Sequence, residues 1–158
     1  EAGLEFATKG GVIDFTTSTT NFDLKHGEVT AAAALAEALA FGIKPMQLTL
    51  SSDGNASLPI YNDDGDLLGL QVGSVQSLYQ AARDAVMQHQ VVLTDAICSI
   101  TAAPAAILGL KQKGRLQAKL DADLVLLRRD DLTVDSVIAK GKLLVQQGKA
   151  LVKGTFER

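Results

Sequence analysis

The chain has 158 residues, about the length of one ordinary domain, and with 47% hydrophobic residues it can bury a core. Its net charge of −3 gives no basic surface for nucleic acid or for an anionic membrane, and no apolar run reaches the length of a membrane span. The single cysteine, Cys98, excludes an internal disulfide and fits the reducing cytoplasm.

Residues 1 to about 110 alternate between helical and strand patterns. In chain order, the sequence predicts a helix over 4–7, a strand over 12–17, a polar loop over 18–27, a helix over 28–41, a strand over 46–50, a turn-rich loop over 51–66, a helix from a Ser74 cap to about 89, and short helices from 94 and 101. This order implies βα units and a parallel sheet. Two strands cannot make a closed sheet, so this zone needs partner strands from elsewhere.

The pattern changes after about residue 120, where short apolar runs follow one another with short loops between them. Strands are predicted at 123–127, 136–139, 143–145 and 150–152, the last after a tight Gln147-Gly148-Lys149 turn. This pattern is typical of a β-meander. Both zones lack partner strands toward the N-terminus, and the first residues form a helical pattern already in mid-course. We therefore expect the chain to be a piece of a longer one.

Asp53 stands directly after the second predicted strand, in the stretch LTLSSDGNAS at 48–57. At the carboxyl end of a barrel strand, a carboxylate can bind a metal and take a proton from metal-bound water. In an ordinary Asp-Gly-Asn turn, the same side chain caps backbone N–H groups. The residues alone leave both interpretations open. Four residues later, Ser57 could hold a substrate carboxylate or could be an ordinary loop serine.

The other candidate residues carry weaker patterns. His26 and His89 are the only histidines, and neither lies in an H-x-H or H-E-x-x-H motif, so we expect no catalytic role for them. Cys98 lies in an apolar helical stretch and is predicted to be a buried structural thiol. Asp14 falls within the first predicted strand, where it could be a pocket group or a barrel-layer group. The sequence contains no glycine-rich phosphate loop.

The stretch LTDAICSITAAPAAILGLKQKGRLQAKLDADLVLL at 93–127 resembles the C-terminal signature of the amidohydrolase superfamily. The signature consists of a Leu-Thr helix start, Thr-x-x-Pro-Ala, Leu-Gly-Leu, a Lys-Gly pair and Asp-Ala-Asp-Leu-Val. The segment VIAKGKLLVQQGKALVKGTFE at 137–157 resembles the tail whose strands return to a small β-sandwich. The superfamily usually has glycine two residues before Asp-Ala-Asp, and Lys119 stands there in this chain.

Within the superfamily, EFATKGGVIDFTTS, LTLSSDGNAS and the ending KGTFE together resemble the bacterial isoaspartyl dipeptidases, also called β-aspartyl peptidases. The resemblance covers essentially the whole chain. It implies an α/β fold in which residues 1–112 form the C-terminal part of a (β/α)8 TIM-type barrel, with its last two βα units and extra helices. Residues 113–158 would then supply the closing strands of a small β-sandwich.

The resemblance also implies a site with two zinc ions in the complete enzyme. The family ligands are an H-x-H pair, a carbamylated lysine, two further histidines and one aspartate after the last barrel strand. Only that aspartate falls within this chain, as Asp53, which would ligate one metal and act as general base and acid. The substrate-binding serine of the family corresponds to Ser57. The other ligands would lie upstream of Glu1, so we expect the 158-residue chain alone to be inactive.

These implications predict that the complete protein hydrolyses small β-aspartyl dipeptides in the cytoplasm, as a homo-oligomer without nucleic-acid or membrane partners. Two alternatives stay open. The first is a cyclic-amide hydrolase of the dihydroorotase or hydantoinase kind, which shares the barrel and the aspartate. The second is a non-catalytic remnant that has kept the amidohydrolase fold. A substrate panel separates the first, and the upstream sequence separates the second.

Overall fold

The computed structural model of the protein describes residues 2–152 and divides into two compact units. The first unit runs to Pro104, and the second begins at Ala105. Within residues 2–152, no helix combines the length and the apolar character needed to cross a membrane. The KGTFE ending at 153–157, which contributes to the family resemblance, lies outside the described residues.

The first unit alternates helices and strands as the sequence predicts, and it also contains a short helix and a hairpin that the sequence does not predict. Its elements are α1 (Ala2–Thr8), β1 (Ile13–Thr16), α2 (Asn21–Lys25), α3 (Ala31–Ala40), a 3-10 turn (Pro45–Gln47), β2 (Leu48–Ser51), β3 (Ser57–Tyr61), β4 (Leu67–Val72), α4 (Gln76–His89), α5 (Leu93–Cys98) and α6 (Ala102–Ile107), which extends past the division. Thr30 caps α3 by accepting a hydrogen bond from the backbone of Ala33. Gly42, with a φ of 95°, ends that helix because a left-handed residue suits glycine.

The parallel pairing of β1 with β2 is confirmed, from Ile13 opposite Leu48 to Thr16 opposite Ser51. Successive side chains of a strand point to opposite faces. On one face, Ile13 and Leu48 belong to a core that alanines of α3, α4 and α5 complete, and these small side chains let the helices approach closely. The opposite face carries the polar side chains of both strands, which are Asp14, Thr16, Thr49 and Ser51.

The predicted loop over 51–66 is wrong in its second half, because β3 and β4 form an antiparallel hairpin there. Pro59 lies inside β3, and a proline argues against a strand because it lacks the backbone N–H. In the described residues, β3 pairs only with β4, so its other edge does not need that donor. The turn is held by Asn62, whose side-chain oxygen accepts hydrogen bonds from the backbone of Asp64 and Asp66.

The predicted polar loop over 18–27 also contains a short helix, α2. Thr20 and Asp23 form a capping box, in which the Asp23 carboxylate accepts the Thr20 backbone N–H at 2.7 Å and the Thr20 hydroxyl accepts the Asp23 N–H at 3.3 Å. The Thr20 hydroxyl also donates to the Asp23 carboxylate at 2.7 Å, and this bond together with the Thr20 backbone N–H holds the pKa of Asp23 below its ordinary value. The Thr-x-x-Asp spacing was the signal in the sequence for this helix start.

The second unit is the predicted β-meander. Its strands are β5 (Leu124–Leu127), β6 (Val134–Ala139), β7 (Lys142–Gln146) and β8 (Lys149–Ala150), each antiparallel to the next. The last two connections have two residues each, and all four carry a positive φ: 47° at Lys140, 75° at Gly141, 49° at Gln147 and 73° at Gly148. Positive φ at both positions defines the turn whose twist matches that of paired strands.

The Asp-Ala-Asp signature has a local structural role in the second unit. The Lys113 Nζ atom lies 2.7 Å from Asp121 Oδ2 and 2.5 Å from Asp123 Oδ2. The other oxygen of Asp123 accepts the backbone N–H of Lys140 at 2.7 Å. The hydrogen bond and charge of Lys113 hold the pKa of Asp123 below its ordinary value, and the two carboxylates raise the pKa of Lys113. Asp123 thus connects the segment before β5 to the turn between β6 and β7.

We expect Asp123→Asn to destabilise the complete protein near neutral pH and to lose this effect in acid. Because the folded pKa of Asp123 is lowered, its ionised form stabilises the folded state above the ordinary Asp pKa of about 3.9. That contribution disappears as the pH falls through the folded pKa. Urea unfolding at about pH 7 and about pH 2 measures the difference, with Asp130→Asn as the matched exposed carboxylate. Equal destabilisation at both pH values would contradict the role of the ion pair.

Candidate active site

Asp53 lies in a tight turn two residues beyond the end of β2. Its carbonyl oxygen accepts the backbone N–H of Ala56 at 2.9 Å. Its φ is 47°, a left-handed conformation that Asp and Asn tolerate better than other non-glycine residues. The residue is exposed, so the turn presents the carboxylate at the carboxyl end of the strand rather than burying it.

The base of the β3–β4 hairpin holds this turn through backbone contacts. The Asn55 N–H donates to the Gly73 carbonyl, and the Gly73 N–H donates to the Ala56 carbonyl, both at 2.9 Å. A Cβ atom on Gly73 would lie 2.2 Å from the Asp53 carbonyl oxygen, which is too close for any side chain. Glycine at position 73 is therefore a requirement of the turn that carries Asp53.

Two hydroxyls reach the same oxygen of the Asp53 carboxylate. The Ser18 Oγ atom donates to Asp53 Oδ2 at 2.7 Å, and the Thr16 Oγ1 atom lies 3.1 Å from it. Thr16 is the last residue of β1, and Ser18 follows it in the loop. Parallel strands bring their carboxyl ends to one edge, where active sites of βα folds lie. Neither residue was predicted from the sequence, although the hydroxyl-rich run TTSTT at 16–20, which begins at the last residue of the first strand, was a signal for this edge.

Asp14 bridges the two strands on their polar face. Its Oδ1 atom accepts from the Thr49 hydroxyl at 2.6 Å, and its Oδ2 atom accepts from the Ser51 hydroxyl at 2.5 Å. The sequence left Asp14 open as a pocket group or a barrel-layer group. In the structure, both of its oxygens are engaged by β2, so it fixes the pairing of β1 with β2 at the level below Asp53.

Ser57 is the first residue of β3, where it pairs with Val72. It is exposed and belongs to the hairpin rather than to the turn of Asp53. The structure thus places Ser57 beside the turn, at the start of the element that holds it.

A cleft of about 490 Å³ lies beside Asp53 in the first unit. It is bounded by the loop after β1, by both strands of the hairpin and by the start of α4, and none of its lining side chains is charged. Ser18 lines this cleft and also contacts the Asp53 carboxylate. The hydroxyls of Thr17 and Ser77, 2.6 Å apart, tie the loop to α4. The geometry offers an uncharged, hydroxyl-rich space next to the Asp53 carboxylate.

In the part of the chain that the structure describes, the histidines and the cysteine do not form a set of metal ligands with the Asp53 carboxylate. The His26 Nδ1 atom lies 2.7 Å from the Phe22 carbonyl oxygen within α2 and its C-terminal cap, and His89 is the exposed last residue of α4. Cys98 is partly exposed, which corrects the prediction of a buried thiol, and its sulfur lies 3.5 Å from that of Met46. Within residues 2–152, no group of three or more His, Cys, Asp or Glu side chains could hold a metal ion.

Comparisons with known proteins identify a family for the sequence and similar solved structures for the fold. Residues 23–144 match the sequence profile of the Amidohydrolase family. The structure is similar to β-aspartyl dipeptidase from Fervidobacterium islandicum AW-1 in complex with β-Asp-Leu dipeptide, at 32% identity and a TM-score of 0.77, over 98% of this chain and 39% of that chain. A second structure of β-aspartyl dipeptidase from the same organism gives 28% identity and a TM-score of 0.74, over 98% and 36%.

A likeness in fold alone extends to a D-hydantoinase, at 19% identity and a TM-score of 0.62, over 100% of this chain and 46% of that chain. The chain spans less than half the length of each of these solved relatives. The profile match covers more than half of the chain, and the described elements form a mixed α/β arrangement like that of these relatives. The chain belongs to the amidohydrolase family.

Proposed function

We propose that the complete protein is a metal-dependent hydrolase of small β-aspartyl dipeptides, with Asp53 as its general base and general acid. The observation that carries this proposal is the exposed Asp53 carboxylate at the carboxyl edge of the β1–β2 pair, with its Oδ2 atom held by two hydroxyls. Family membership and the 32% identity to a β-aspartyl dipeptidase with bound β-Asp-Leu support the substrate class. Because the chain spans 39% of that relative, the activity is proposed for the complete protein.

The reaction adds water across the amide between the side-chain carbonyl carbon of aspartate and the amine nitrogen of the second residue. Asp53 starts ionised and takes a proton from the attacking water, whose oxygen bonds to the carbonyl carbon. The same carboxyl then delivers that proton to the amine nitrogen as the C–N bond breaks. The products are free aspartate and the second amino acid. One carboxyl group near the reacting atoms can serve both steps.

A metal centre fits Asp53 as one ligand among several. Carboxylate oxygens are suitable zinc ligands, and the Asp53 carboxylate is exposed. The described residues supply no further cluster of metal-ligating side chains, so the other ligands would come from the rest of the complete protein. The chemistry that zinc would supply there is a lowered pKa of bound water and polarisation of the scissile carbonyl. We propose two zinc ions on the basis of the family resemblance, and an inactive 158-residue chain in isolation.

The remaining roles follow from the same resemblance. We propose that Ser57, exposed at the start of β3, binds the substrate. Residues 1–112 are proposed to complete a (β/α)8 barrel, and residues 113–158 a small β-sandwich. The complete protein is proposed to be a homo-oligomer. We propose a cytoplasmic location, because the single cysteine of the sequence fits a reducing compartment.

A substrate panel tests the proposed activity. The complete protein loaded with zinc is assayed with β-Asp-Leu, α-Asp-Leu, dihydroorotate and hydantoin. We expect the highest kcat/KM for β-Asp-Leu and no turnover of α-Asp-Leu, which lacks the side-chain amide. Turnover of a cyclic amide without turnover of β-Asp-Leu would replace the proposal by the cyclic-amide hydrolase. No turnover of any compound would favour the non-catalytic remnant.

A further inference from the structure

We propose that Ser18 and Thr16 are positioning residues that fix the orientation of the Asp53 carboxylate, with Ser18 as the direct anchor and Thr16 as its support. This inference rests on the proposed function, because it assigns partners to the carboxylate that would carry the reaction. Neither residue belongs to the predicted site. Both are placed there by the parallel pairing of β1 with β2 and by the loop that follows β1.

The hydrogen-bond directions follow from counting protons. Each hydroxyl has one proton to donate. The Thr16 and Ser18 hydroxyl oxygens are 2.7 Å apart, and Ser18 lies 2.7 Å and Thr16 3.1 Å from Asp53 Oδ2. If both donated to the carboxylate, neither could donate to the other. The arrangement that satisfies the shorter contacts has Thr16 donating to Ser18 and Ser18 donating to Asp53. In such a chain, each hydrogen bond strengthens the next.

The loop that carries Ser18 is itself held by β2 on one side and by α4 on the other. The Thr17 backbone N–H donates to the Ser51 carbonyl at 2.7 Å, which continues the β1–β2 pairing by one residue. The Thr17 side chain pairs with Ser77 at the start of α4. Ser18 therefore follows a residue that is fixed by its backbone and by its side chain. An anchor placed in this way can orient a partner rather than follow it.

Asp53 needs an anchor because it is exposed and because its turn fixes only its backbone. Both hydroxyls that lie close to its carboxylate approach Oδ2, and Ser18 is the one that donates to it. Occupation of Oδ2 leaves Oδ1 as the oxygen for the metal and the transferred proton in the proposed reaction. The pair thus selects which oxygen takes part in the reaction and which stays bound to the protein.

The test uses the complete protein with Ser18→Ala, Ser18→Thr and Thr16→Val. The first readout is kcat and KM for β-Asp-Leu, and the second is the affinity of the metal-free protein for Zn²⁺, measured by competition with a chromogenic chelator. Partners of a ligating group typically contribute about 10–100-fold to activity or to metal affinity. We expect Ser18→Ala to lower kcat and Zn²⁺ affinity by about that factor with little change in KM. Ser18→Thr should restore most of the loss, and Thr16→Val should have a smaller effect.

A control and a second outcome keep the inference separate from the proposed function. Ser136→Ala removes a hydroxyl of the second unit that donates a hydrogen bond to its neighbour Asp135, and it should change neither readout. Unchanged kcat and Zn²⁺ affinity in Ser18→Ala, or no recovery with Ser18→Thr, would overturn the positioning role. If the unsubstituted protein binds Zn²⁺ but does not hydrolyse β-Asp-Leu, the proposed function fails. A weaker Zn²⁺ affinity in Ser18→Ala would then still support the anchor.

Discussion

Replacement of Asp53 by asparagine is expected to lower kcat for β-Asp-Leu by about 10²–10⁴-fold, the range that general acid–base catalysis contributes. Asparagine keeps the size of the side chain and tolerates the left-handed backbone at a φ of 47°. It also retains an oxygen that can accept the Ser18 hydroxyl. The substitution therefore removes the base without removing the turn, and the melting temperature should stay close to that of the unsubstituted protein.

Steady-state kinetics and thermal unfolding of the complete protein measure this expectation together. Asp64→Asn is the matched control, because Asp64 is an exposed carboxylate in the nearby hairpin turn. We expect the control to retain full activity. Comparable activity in the two variants would remove Asp53 from the reaction and return it to the interpretation as an ordinary turn residue.

Substitution of Gly73 by alanine is expected to have the second-largest effect, although position 73 carries no functional group. The added Cβ atom would lie 2.2 Å from the carbonyl oxygen and 3.0 Å from the carbonyl carbon of Asp53. The backbone of the turn must move to relieve this overlap. Overpacking of this kind typically costs about 1–3 kcal/mol of stability. A displacement of about 1 Å in a catalytic group can cost about 10²-fold in rate, so we expect both stability and kcat to fall.

Gly69→Ala, within β4 and four residues before Gly73, separates the displacement of Asp53 from a general effect on the hairpin. A Cβ atom on Gly69 would meet nothing within 4 Å. We expect this control to keep its activity and its urea-unfolding midpoint. Equal losses in the two variants would mean that the hairpin, rather than its contact with Asp53, limits activity.

Elements with a clear periodicity could be predicted from the sequence. The apolar runs of β1 and β2, the helix α3 with Gly42 after it, and the glycine turns of the meander all have local signals that tertiary contacts reinforce. The β3–β4 hairpin could not be predicted in the same way. Its first strand contains Pro59, and pairing with β4 rather than local preference makes that stretch a strand.

The residues of the candidate site likewise divide into those that could be predicted from the sequence and those that could not. Asp53 was identifiable because it lies just beyond the end of a predicted strand, and the family resemblance implied a role for it. Ser18 contacts Asp53 across a separation of 35 residues, and that contact depends on the register of β1 against β2. The contact of Gly73 with the Asp53 backbone likewise depends on where the hairpin closes. Such contacts are properties of the assembled fold, so single-residue patterns do not reveal them.

The separation between Ser18 and Asp53 also has a kinetic meaning. Parallel strands need a long crossover, here through α3, and the entropy of closing that loop opposes pairing before its contacts form. The two-residue connections of the meander close locally, and hairpins form in about 1–10 μs. During folding, the meander can thus form early, whereas Asp53 acquires its hydroxyl partners only after the crossover has closed. The environment of the candidate catalytic carboxylate therefore depends on a non-local closure that the meander does not need.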